Sequence, residues 1–433
     1  MNRTMIGDLP AKVGEEVRVC GWTQTVRNQK KMQFLVLRDR SGLAQAVNER
    51  RGDQIENIIN SLTPESAVVV TGQVVASPQV KIGGLEIVVK NIEIMSLAET
   101  PLPIDENTAM DGRLDWRFID LRRPKNLLIF EVQTEFELAL REYWNIMSFI
   151  EMHSPKFMGG ASESGAELFR VDYFGGNAYL AQSPQFYKQM AMAAGFDRVF
   201  EIGPVFRANP SMTSRHDTEF TSVDVEIAWI NSHHDVMDFE ARWIQYAMMQ
   251  VKKVYGEKIL RLCGLEVEVP VLPFPKVTMK EAHVILGQMG HKVEREGGDL
   301  DPKGERMLAQ HIKEKYGHDF VFVTDYPISG RPFYHMRYPD APDTTKSFDL
   351  IYRGLEVTTG AQREHRYDIL LNQVKEKGIP PESIQYYLNF FRFGCPPHGG
   401  YGFGLTRLLM MLLGFQNVRE VTYLYRGINR LSP

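Results

Sequence analysis

Five short runs of residues near the start of the chain alternate between apolar and polar side chains, with glycines within and between the runs. Alternation with a period of two is the pattern of a half-buried β-strand. Five such strands within about 80 residues are typical of a small closed barrel of the OB type. The predicted strands span residues 16–23, 33–38, 44–48, 67–75 and 85–94.

The second of these strands and the turn before it carry basic side chains together with one aromatic ring. Barrels of this type commonly bind single-stranded nucleic acid, because aromatic rings stack on bases and cations follow the backbone. A solvated basic edge strand explains the same pattern equally well. The residues concerned are Arg27, Lys30, Lys31, Phe34 and Arg38.

The length and composition of the chain limit its class. Its 433 residues exceed the usual size of one hydrophobic core, which predicts two or three domains. The contents of 43% hydrophobic and 24% charged residues are typical of a soluble globular protein. No window approaches the roughly 18 apolar residues of a membrane span, and the N-terminus lacks the apolar core of a signal peptide. We therefore expect a cytoplasmic protein.

Cysteine spacing and net charge narrow the possibilities further. Cys20, Cys263 and Cys395 lie far apart without Cys-x-x-Cys spacing, so neither a zinc site nor a disulfide framework is predicted. The formal net charge of -4 gives no overall attraction to nucleic acid. A local basic surface can still bind phosphates on a slightly acidic protein, so the net charge excludes little.

The rest of the chain predicts a second domain of a different type. Residues 98–105 contain two prolines and indicate a linker, and a long helix is predicted at about residues 127–148. The remaining residues mix helices and strands without regular βαβ alternation, which favours an α+β fold with an antiparallel sheet. The predicted domains are a barrel at 1–103, a hinge or linker at 104–130 and a second domain at 131–433, with an inserted helical region at about 233–330.

A hairpin in the second domain carries fixed cations and an aromatic ring. Its predicted strands, at residues 199–206 and 220–230, flank a polar loop with Arg207, Arg215 and His216, and the loop ends at Phe220. This combination suits a nucleotide, because phosphates need cations and a base needs a flat apolar partner. An ordinary charged hairpin is the alternative on this segment alone.

Two further segments carry chemistry of the same kind. Asp349 and Glu356 are spaced so that they could share a hard divalent cation with phosphate oxygens, although two acids alone are weak evidence. Residues 399–409 combine a glycine-rich approach with Arg407 at the start of an apolar helix. Glycines permit close approach to a nucleotide and the arginine adds positive charge at the helix start, but a turn used only for packing would look similar.

Together these segments resemble motifs 2 and 3 of class II aminoacyl-tRNA synthetases, in the right order, and the long helix before Pro155 matches motif 1. Over the whole chain, the sequence resembles the aspartyl-tRNA synthetases of the archaeal and eukaryotic type. A diverged or non-discriminating paralogue of these enzymes would show the same resemblance. It implies an anticodon-binding OB-type barrel, a class II antiparallel sheet with flanking helices, and a homodimer. The strings that carry it lie at residues 113–115, 120–124, 182–190 and 354–366.

The resemblance also implies an ATP site. Arg207 is expected at the α-phosphate and the substrate carboxylate, and Phe220 is expected to stack on adenine. Arg407 is expected at the γ-phosphate, and Glu356 as the principal magnesium ligand. Arg207, Arg407 and Glu356 form the expected catalytic set, and Glu356, Thr359 and Asp349 the expected metal set. The expected ATP-binding residues are Arg207, Asn209, Arg215, His216, Asp217, Phe220, Glu356, Gly404, Leu405, Thr406 and Arg407.

Amino-acid choice follows from the same resemblance. Lys188 and Arg363 match the ligands of the substrate side-chain carboxylate, with Gln185 beside them and Glu163 placed to receive the ammonium group. A neutral amide would leave two buried cations unpaired, and such sites reject an isostere by about 10⁴ or more. Aspartate is therefore favoured over asparagine. The expected aspartate-binding residues are Glu163, Gln185, Lys188, Arg207, Thr359 and Arg363.

In the barrel, Phe34 and Gln45 match residues that stack on and read the central anticodon base, and Arg27 is expected to contact a phosphate. The positions of Gln24 and Lys81 influence, in archaeal-type enzymes, whether tRNA(Asp) and tRNA(Asn) are both accepted. Strict enzymes carry tryptophan at the first of these positions and relaxed ones histidine. Gln24 is neither, so the choice of tRNA stays open.

The chain departs from the family pattern at four places. Asn209 and Thr406 each stand where the family has glutamate, and Ser164 stands where it has glycine. Residues 424–427 replace the family's Phe-Pro-Arg-Asp. None of these changes removes a cation. Losing an acid next to Arg407 is expected to leave its side chain less well oriented, at a cost of about 1–3 kcal/mol in transition-state stabilisation, which slows adenylate formation without abolishing it.

The sequence thus predicts an aspartate–tRNA ligase that uses ATP and Mg²⁺ to form aspartyl-AMP and then transfers aspartate to the 3′ end of tRNA(Asp), with tRNA(Asn) as a further acceptor left open. One alternative is a diverged paralogue that activates aspartate or asparagine for a non-translational acceptor. Another is an inactive tRNA-binding regulator. Retention of Arg207, Glu356, Arg363 and Arg407 argues against the regulator.

Overall fold

The computed structural model describes residues 2–160, 167–210, 213–291 and 298–433. The chain divides into two compact units, Met1–Leu127 and Leu128–Pro433. None of the helices among the residues described is both long and apolar enough to cross a membrane.

The first unit is built on a closed five-stranded barrel, which confirms the predicted OB-type fold. The strands follow the order β1-β2-β3-β5-β4 around the barrel, and only β3 and β5 pair in parallel. The elements are β1 (Glu16–Asn28), β2 (Met32–Asp39), β3 (Gly42–Glu49), α1 (Gln54–Ser61), β4 (Ala67–Ala76), β5 (Leu85–Ser96), α2 (Met110–Asp115) and α3 (Arg117–Asp120).

Alternation along the strands fills the barrel interior, as in Leu35 and Leu37 of β2, which are buried. At Gly72 an added Cβ would lie 2.2 Å from the carbonyl oxygen of Val88, so β4 and β5 approach more closely there than any side chain allows. The predicted strand positions agree with the structure except that β1 continues to Asn28.

The second unit contains an eight-stranded sheet, which confirms the predicted α+β class. Its order is β12-β13-β16-β17-β18-β11-β10-β6, and it is antiparallel except where β6 meets β10 and where β12 meets β13. The strands of this unit are β6 (Ile150–Glu151), β7 (Phe157–Met158), β8 (Arg170–Tyr173), β9 (Gly176–Leu180), β10 (Arg198–Phe206), β11 (Glu219–Ala228), β12 (Lys276–Thr278), β13 (Phe320–Thr324), β14 (Arg337–Tyr338), β15 (Ala341–Thr345), β16 (Ser347–Tyr352), β17 (Leu355–Gln362) and β18 (His398–Phe403).

Helices cover this sheet and hold its central strands. Trp144 and Trp243 are fully buried in the same core cluster as Tyr401, and the indole Nε1 of Trp243 donates a hydrogen bond of 2.5 Å to the Tyr401 hydroxyl. This hydrogen bond and the aromatic packing around it therefore fix the position of β18. The helices are α4 (Pro124–Ile146), α5 (Gln185–Ala193), α6 (His233–Cys263), α7 (Met279–Gln288), α8 (Pro302–Tyr316), α9 (Tyr367–Glu376), α10 (Gln385–Leu388), α11 (Leu405–Leu413) and α12 (Val418–Val421).

The segment predicted as an inserted helical region, at about 233–330, contributes both helices and strands. It supplies α6, α7 and α8, and its strands β12 and β13 form one edge of the main sheet. Those strands belong to the same sheet as the hairpin β10–β11. The predicted domain boundaries themselves stay a prediction.

Candidate active site

A cavity of about 270 Å³ opens where the β10–β11 hairpin, β17, β18 and the start of α11 meet. Most residues predicted for ATP and amino-acid binding line it. Leu405, Lys188 and Asp349 do not line it, and Glu163 lies outside the described residues. The predicted residues in its wall are Gln185, Arg207, Asn209, Arg215, His216, Asp217, Phe220, Glu356, Thr359, Arg363, Gly404, Thr406 and Arg407.

The hairpin register explains why its first arginine and its aromatic ring meet. Val205 pairs with Phe220, and the backbone N–H of Arg207 donates to Thr218 across the strand ends. The Arg207 guanidinium consequently lies 5.4 Å from the centre of the Phe220 ring. A cation and a flat apolar surface thus share one wall of the cavity.

Arg215 is held by a residue that sequence reasoning did not single out. Glu305 of α8 accepts two hydrogen bonds from its guanidinium, at 3.0 and 2.8 Å. Burial raises the pKa of the Glu305 carboxyl to about 7, and Arg215 opposes that shift. Since the two residues are far apart in the sequence, no local pattern could have predicted this pair. Through it, the 233–330 segment fixes a cation at the cavity.

The other loop side chains near Arg215 are also engaged. The Nδ1 atom of His216 shares a short hydrogen bond with the Thr213 hydroxyl. Burial and the nearby Arg407 lower the pKa of His216, so this ring favours its neutral form. Burial raises the pKa of the Asp217 carboxyl to about 7, although Thr422 donates a 3.2 Å hydrogen bond to it.

Glu356 and Arg407 line another part of the cavity wall. The Arg407 Nη1 donates to the Glu356 carboxylate at 3.2 Å and to its carbonyl oxygen at 3.0 Å. The Thr359 hydroxyl donates to the same carboxylate at 3.1 Å. Burial works against ionisation of Glu356, but Arg407 and other cations hold the pKa of its carboxyl below the ordinary value. The carboxylate is therefore charged and faces the cavity.

Asp349 is placed differently from the other predicted metal ligands. It pairs with Thr359 in the β16–β17 register, but its carboxylate accepts a 2.7 Å hydrogen bond from the Arg331 guanidinium. Burial raises the pKa of Asp349 to about 6. Among the described residues, no group of three histidine, cysteine or acidic side chains is arranged to hold a metal ion. Glu356 and Thr359 nonetheless present hard oxygen atoms, which suit magnesium because it takes few protein ligands.

Lys188 and Arg363, the two residues predicted to bind the side-chain carboxylate of the substrate, are buried and already paired with carboxylates. Lys188 lies 3.0 Å from Asp224 and 3.4 Å from Glu226, and Arg363 lies 3.0 Å from Glu226. Burial raises the pKa of the fully buried Glu226 carboxyl, whereas Arg363 and Lys188 lower it. The resulting pKa lies below the ordinary value. Two cations and two carboxylates therefore balance at the cavity, where Arg363 and Asp224 belong to the lining.

Sequence reasoning missed Asp224 and Glu226, although a signal was present. The two acids are separated by one residue on β11, so their side chains leave the strand on the same face. Charged residues inside a strand flanked by Val223 and Val225, which are fully buried, indicate a buried ionic site. At Gly400 of β18, an added Cβ would lie 2.3 Å from the Glu226 carboxylate, so only glycine lets β18 approach this cluster.

The residues predicted for the anticodon lie on the barrel. Arg27 and Phe34 are register partners on β1 and β2, and Gln45 is the partner of Val36 on β3. Gln24 lies at the irregularity in β1 between Thr23 and Thr25 and is exposed, as are Arg27 and Lys81. Phe34 is half-buried, and the buried Gln45 amide donates to Glu86 at 3.1 Å. Arg27, Phe34 and Gln45 thus come from neighbouring strands of one sheet region.

Comparisons with known proteins agree with this arrangement. Residues 109–426 match the family model of class II tRNA synthetases (D, K and N), and residues 17–95 match the OB-fold nucleic acid binding domain.

Curated relatives match over nearly the whole chain. The chain is 42% identical over 426 residues to an aspartate–tRNA(Asp) ligase of Pyrococcus furiosus, covering 97% of each chain. It is 42% identical over 438 residues to an aspartate–tRNA(Asp/Asn) ligase of Aeropyrum pernix, covering 99% of this chain and 98% of the relative.

Among solved structures, an asparaginyl-tRNA synthetase of Pyrococcus horikoshii complexed with asparaginyl-adenylate matches with a TM-score of 0.92 at 32% identity, covering 100% of both chains. An aspartyl-tRNA synthetase of Entamoeba histolytica matches with a TM-score of 0.90 at 32% identity, covering 100% of this chain and 93% of that one.

Proposed function

The chain belongs to the class II aminoacyl-tRNA synthetases of the aspartate, lysine and asparagine group, and from this membership we propose that it is an aspartate–tRNA ligase that joins L-aspartate to tRNA(Asp) at the expense of ATP. The observation that carries the proposal is that one cavity is lined by the cations Arg207, Arg407 and Arg363, the aromatic Phe220 and the carboxylate Glu356. A nucleotide and a small acidic amino acid can meet there.

In the first step, the α-carboxylate of aspartate attacks the α-phosphorus of ATP, the bond to the pyrophosphate oxygen breaks, and aspartyl-AMP forms. We infer that Arg207 spans the carboxylate and the α-phosphate, so that the reacting groups are held together and the developing charge is offset. Arg215 and Arg407 would hold the leaving pyrophosphate. The chain thus contributes positioning and electrostatics and needs no covalent nucleophile.

Magnesium fits this scheme through Glu356 and Thr359, whose oxygen atoms share one wall of the cavity. When bound with the phosphates, the ion would supply positive charge that offsets theirs. The Asp349 carboxylate already accepts a hydrogen bond from Arg331. Direct ligation of magnesium by Asp349 therefore stays a prediction.

In the second step, a hydroxyl of the terminal ribose of tRNA attacks the aspartyl carbonyl and AMP leaves. The barrel would position the tRNA through its anticodon. The homodimer expected from motif 1 is also part of the proposal, and the exposed apolar side chains Leu138 and Ile146 of α4 support it. A cytoplasmic location is expected for such a translation enzyme.

Pyrophosphate exchange with the wild-type protein tests this proposal. We expect exchange that depends on aspartate and is far weaker with asparagine, followed by charging of purified tRNA(Asp). Absence of exchange with both amino acids would refute the enzymatic proposal. Charging tRNA(Asn) in parallel separates strict from relaxed specificity.

A diverged role is the second candidate, and the departures in the cavity favour it. Asn209 and Thr406 both line the cavity, where the family resemblance leads us to expect glutamate. Aspartate-dependent exchange without charging of tRNA(Asp) or tRNA(Asn) would support activation for another acceptor.

Phe34→Ala should separate tRNA binding from amino-acid activation. Stacking of one base on an aromatic ring contributes roughly 1–3 kcal/mol, so the KM for tRNA should rise about 10-fold or more while exchange stays nearly unchanged. Kinetics of both reactions measure this. Phe393→Ala removes an aromatic ring that is 83% exposed outside the barrel and serves as the control. Lost exchange in the Phe34 variant would contradict the assignment of the barrel.

A further inference from the structure

His335 is a buried side chain in the wall of the cavity that the proposed mechanism does not use. It lies between β13 and β14, it is 2% exposed, and its backbone forms an isolated bridge with Arg363. Nothing in the local sequence pattern marks it, because one histidine after two aromatic residues is an ordinary core pattern.

The His335 ring is hydrogen-bonded to the predicted ligand of the substrate side chain. Its Nε2 atom lies 3.1 Å from the Nη1 atom of Arg363. A guanidinium group has donors only, so Nε2 must accept, and the imidazole must be neutral with its proton on Nδ1. Burial and the Arg363 charge lower the pKa of His335 well below its ordinary value, which agrees with a neutral ring.

Arg363 is thereby held on more than one side. Its Nε donates to Glu226 at 3.0 Å and its Nη2 donates to the Gly400 carbonyl at 2.9 Å. Its Nη1 donates to His335 Nε2 at 3.1 Å. Because each Nη atom carries two hydrogens, Nη1 keeps a second N–H that can bind a ligand. The guanidinium is therefore oriented before any ligand arrives.

The neutrality of this acceptor matters because the surrounding charges already balance. Lys188 and Arg363 face Asp224 and Glu226 in contacts of 3.0 to 3.4 Å. A third carboxylate in the place of His335 would orient Arg363 equally well but would make the cluster net negative. A neutral imidazole orients the guanidinium and leaves the charges of the cluster balanced, so it adds no negative charge that would repel an anionic ligand.

We propose that His335 is a positioning residue for the amino-acid substrate: as a neutral acceptor it orients Arg363 toward a carboxylate side chain and adds no negative charge that would repel an anion. The proposal rests on the proposed function, since the ligand in question is the side-chain carboxylate of aspartate. It adds a specificity determinant that acts through Arg363.

Three variants separate orientation, charge and packing at this position. His335→Gln offers a neutral acceptor, His335→Glu offers a charged acceptor of nearly the same size, and His335→Leu offers none. We expect the KM for aspartate in exchange to stay within about 3-fold of wild type for the glutamine variant and to rise about 10-fold or more for the leucine variant. The KM for aspartate should rise further still in the glutamate variant, while the KM for ATP should change little in all three variants.

A purely structural role predicts another result, namely that glutamine and glutamate behave alike and that the KM values for aspartate and ATP move together. Either that result or an unchanged KM for aspartate in the leucine variant overturns the proposal. His233→Leu is the matched control, because His233 is also 2% exposed but does not line the cavity. Thermal unfolding checks that each variant is folded, and if the glutamate variant fails to fold, the contrast between leucine and glutamine decides.

Exchange by the wild-type protein is measured first, so that two failures stay distinct. No aspartate-dependent exchange refutes the proposed function itself. Aspartate-dependent exchange that is insensitive to the leucine variant refutes only the positioning role of His335.

Discussion

Arg363→Ala should abolish aspartate-dependent pyrophosphate exchange, with a loss of about 10³-fold or more in kcat/KM for aspartate. Arg363 is 3% exposed and lies in the cavity wall. Without it, the Glu226 carboxylate would lose its closest salt-bridge partner among the described residues and would repel an incoming acidic side chain. The effect should therefore exceed that of losing one ordinary hydrogen bond.

The readout for Arg363 is exchange at several aspartate concentrations, combined with a thermal unfolding curve. Arg363→Lys keeps the charge but loses the paired donors to Glu226 and His335, so it should recover only part of the activity. Arg353→Ala is the control, since Arg353 pairs with Asp319 at 2.8 Å and does not line the cavity. A folded Arg363→Ala variant with full exchange would disprove the role we assign to Arg363.

Glu226→Gln should lower the free energy of unfolding by about 3–5 kcal/mol, because it leaves two buried cations with a single carboxylate. Glu226 is fully buried and contacts both Arg363 and Lys188. Denaturant unfolding measures the change. Glu268→Gln is the control, because its ion pair with Lys313 is exposed and should contribute about 1 kcal/mol or less.

The same variant should alter the pH dependence of stability. The pKa of Glu226 is lower in the folded protein than its ordinary value. The stabilisation that ionised Glu226 contributes is therefore present above its pKa in the unfolded chain and is lost as the pH falls through its pKa in the folded protein. Wild-type stability should fall on the acid side by more than that of Glu226→Gln, and equal slopes for the two proteins would contradict the assigned charge of Glu226.

A double variant tests whether the buried charges are coupled. Glu226→Gln combined with Arg363→Met removes one anion and one cation, and Lys188 keeps Asp224 as its partner at 3.0 Å. We expect stability to recover partly relative to Glu226→Gln, because no uncompensated charge remains, while exchange stays abolished. Losses that simply add would show that the pair is not coupled.

The class of both folded units could be predicted because it depends on local patterns. The apolar run within residues 33–38 predicts a short strand, and Leu35 and Leu37 lie in the barrel core. The sequence also predicts the hairpin of residues 199–230, and the structure pairs Val205 with Phe220. These signals span only a few residues, so a single sequence contains them.

Contacts between distant segments could not be predicted in that way. The two hydrogen bonds from Arg215 to Glu305 join the hairpin loop to α8. The pairing of β13 with β16 likewise brings residues of the 233–330 segment into the main sheet. Such contacts depend on the path of the whole chain, and neither partner has a local pattern that identifies the other.

The sequence by itself determined the two fold classes and the cations of the candidate site, because periodicity and residue type can be read directly along the chain. Only the tertiary structure decided how those cations are compensated. It places Asp224 and Glu226 against Lys188 and Arg363, and it adds the neutral ring of His335. The physical reason is that the charge of a buried subsite is the sum over groups from distant segments that share one poorly solvated space.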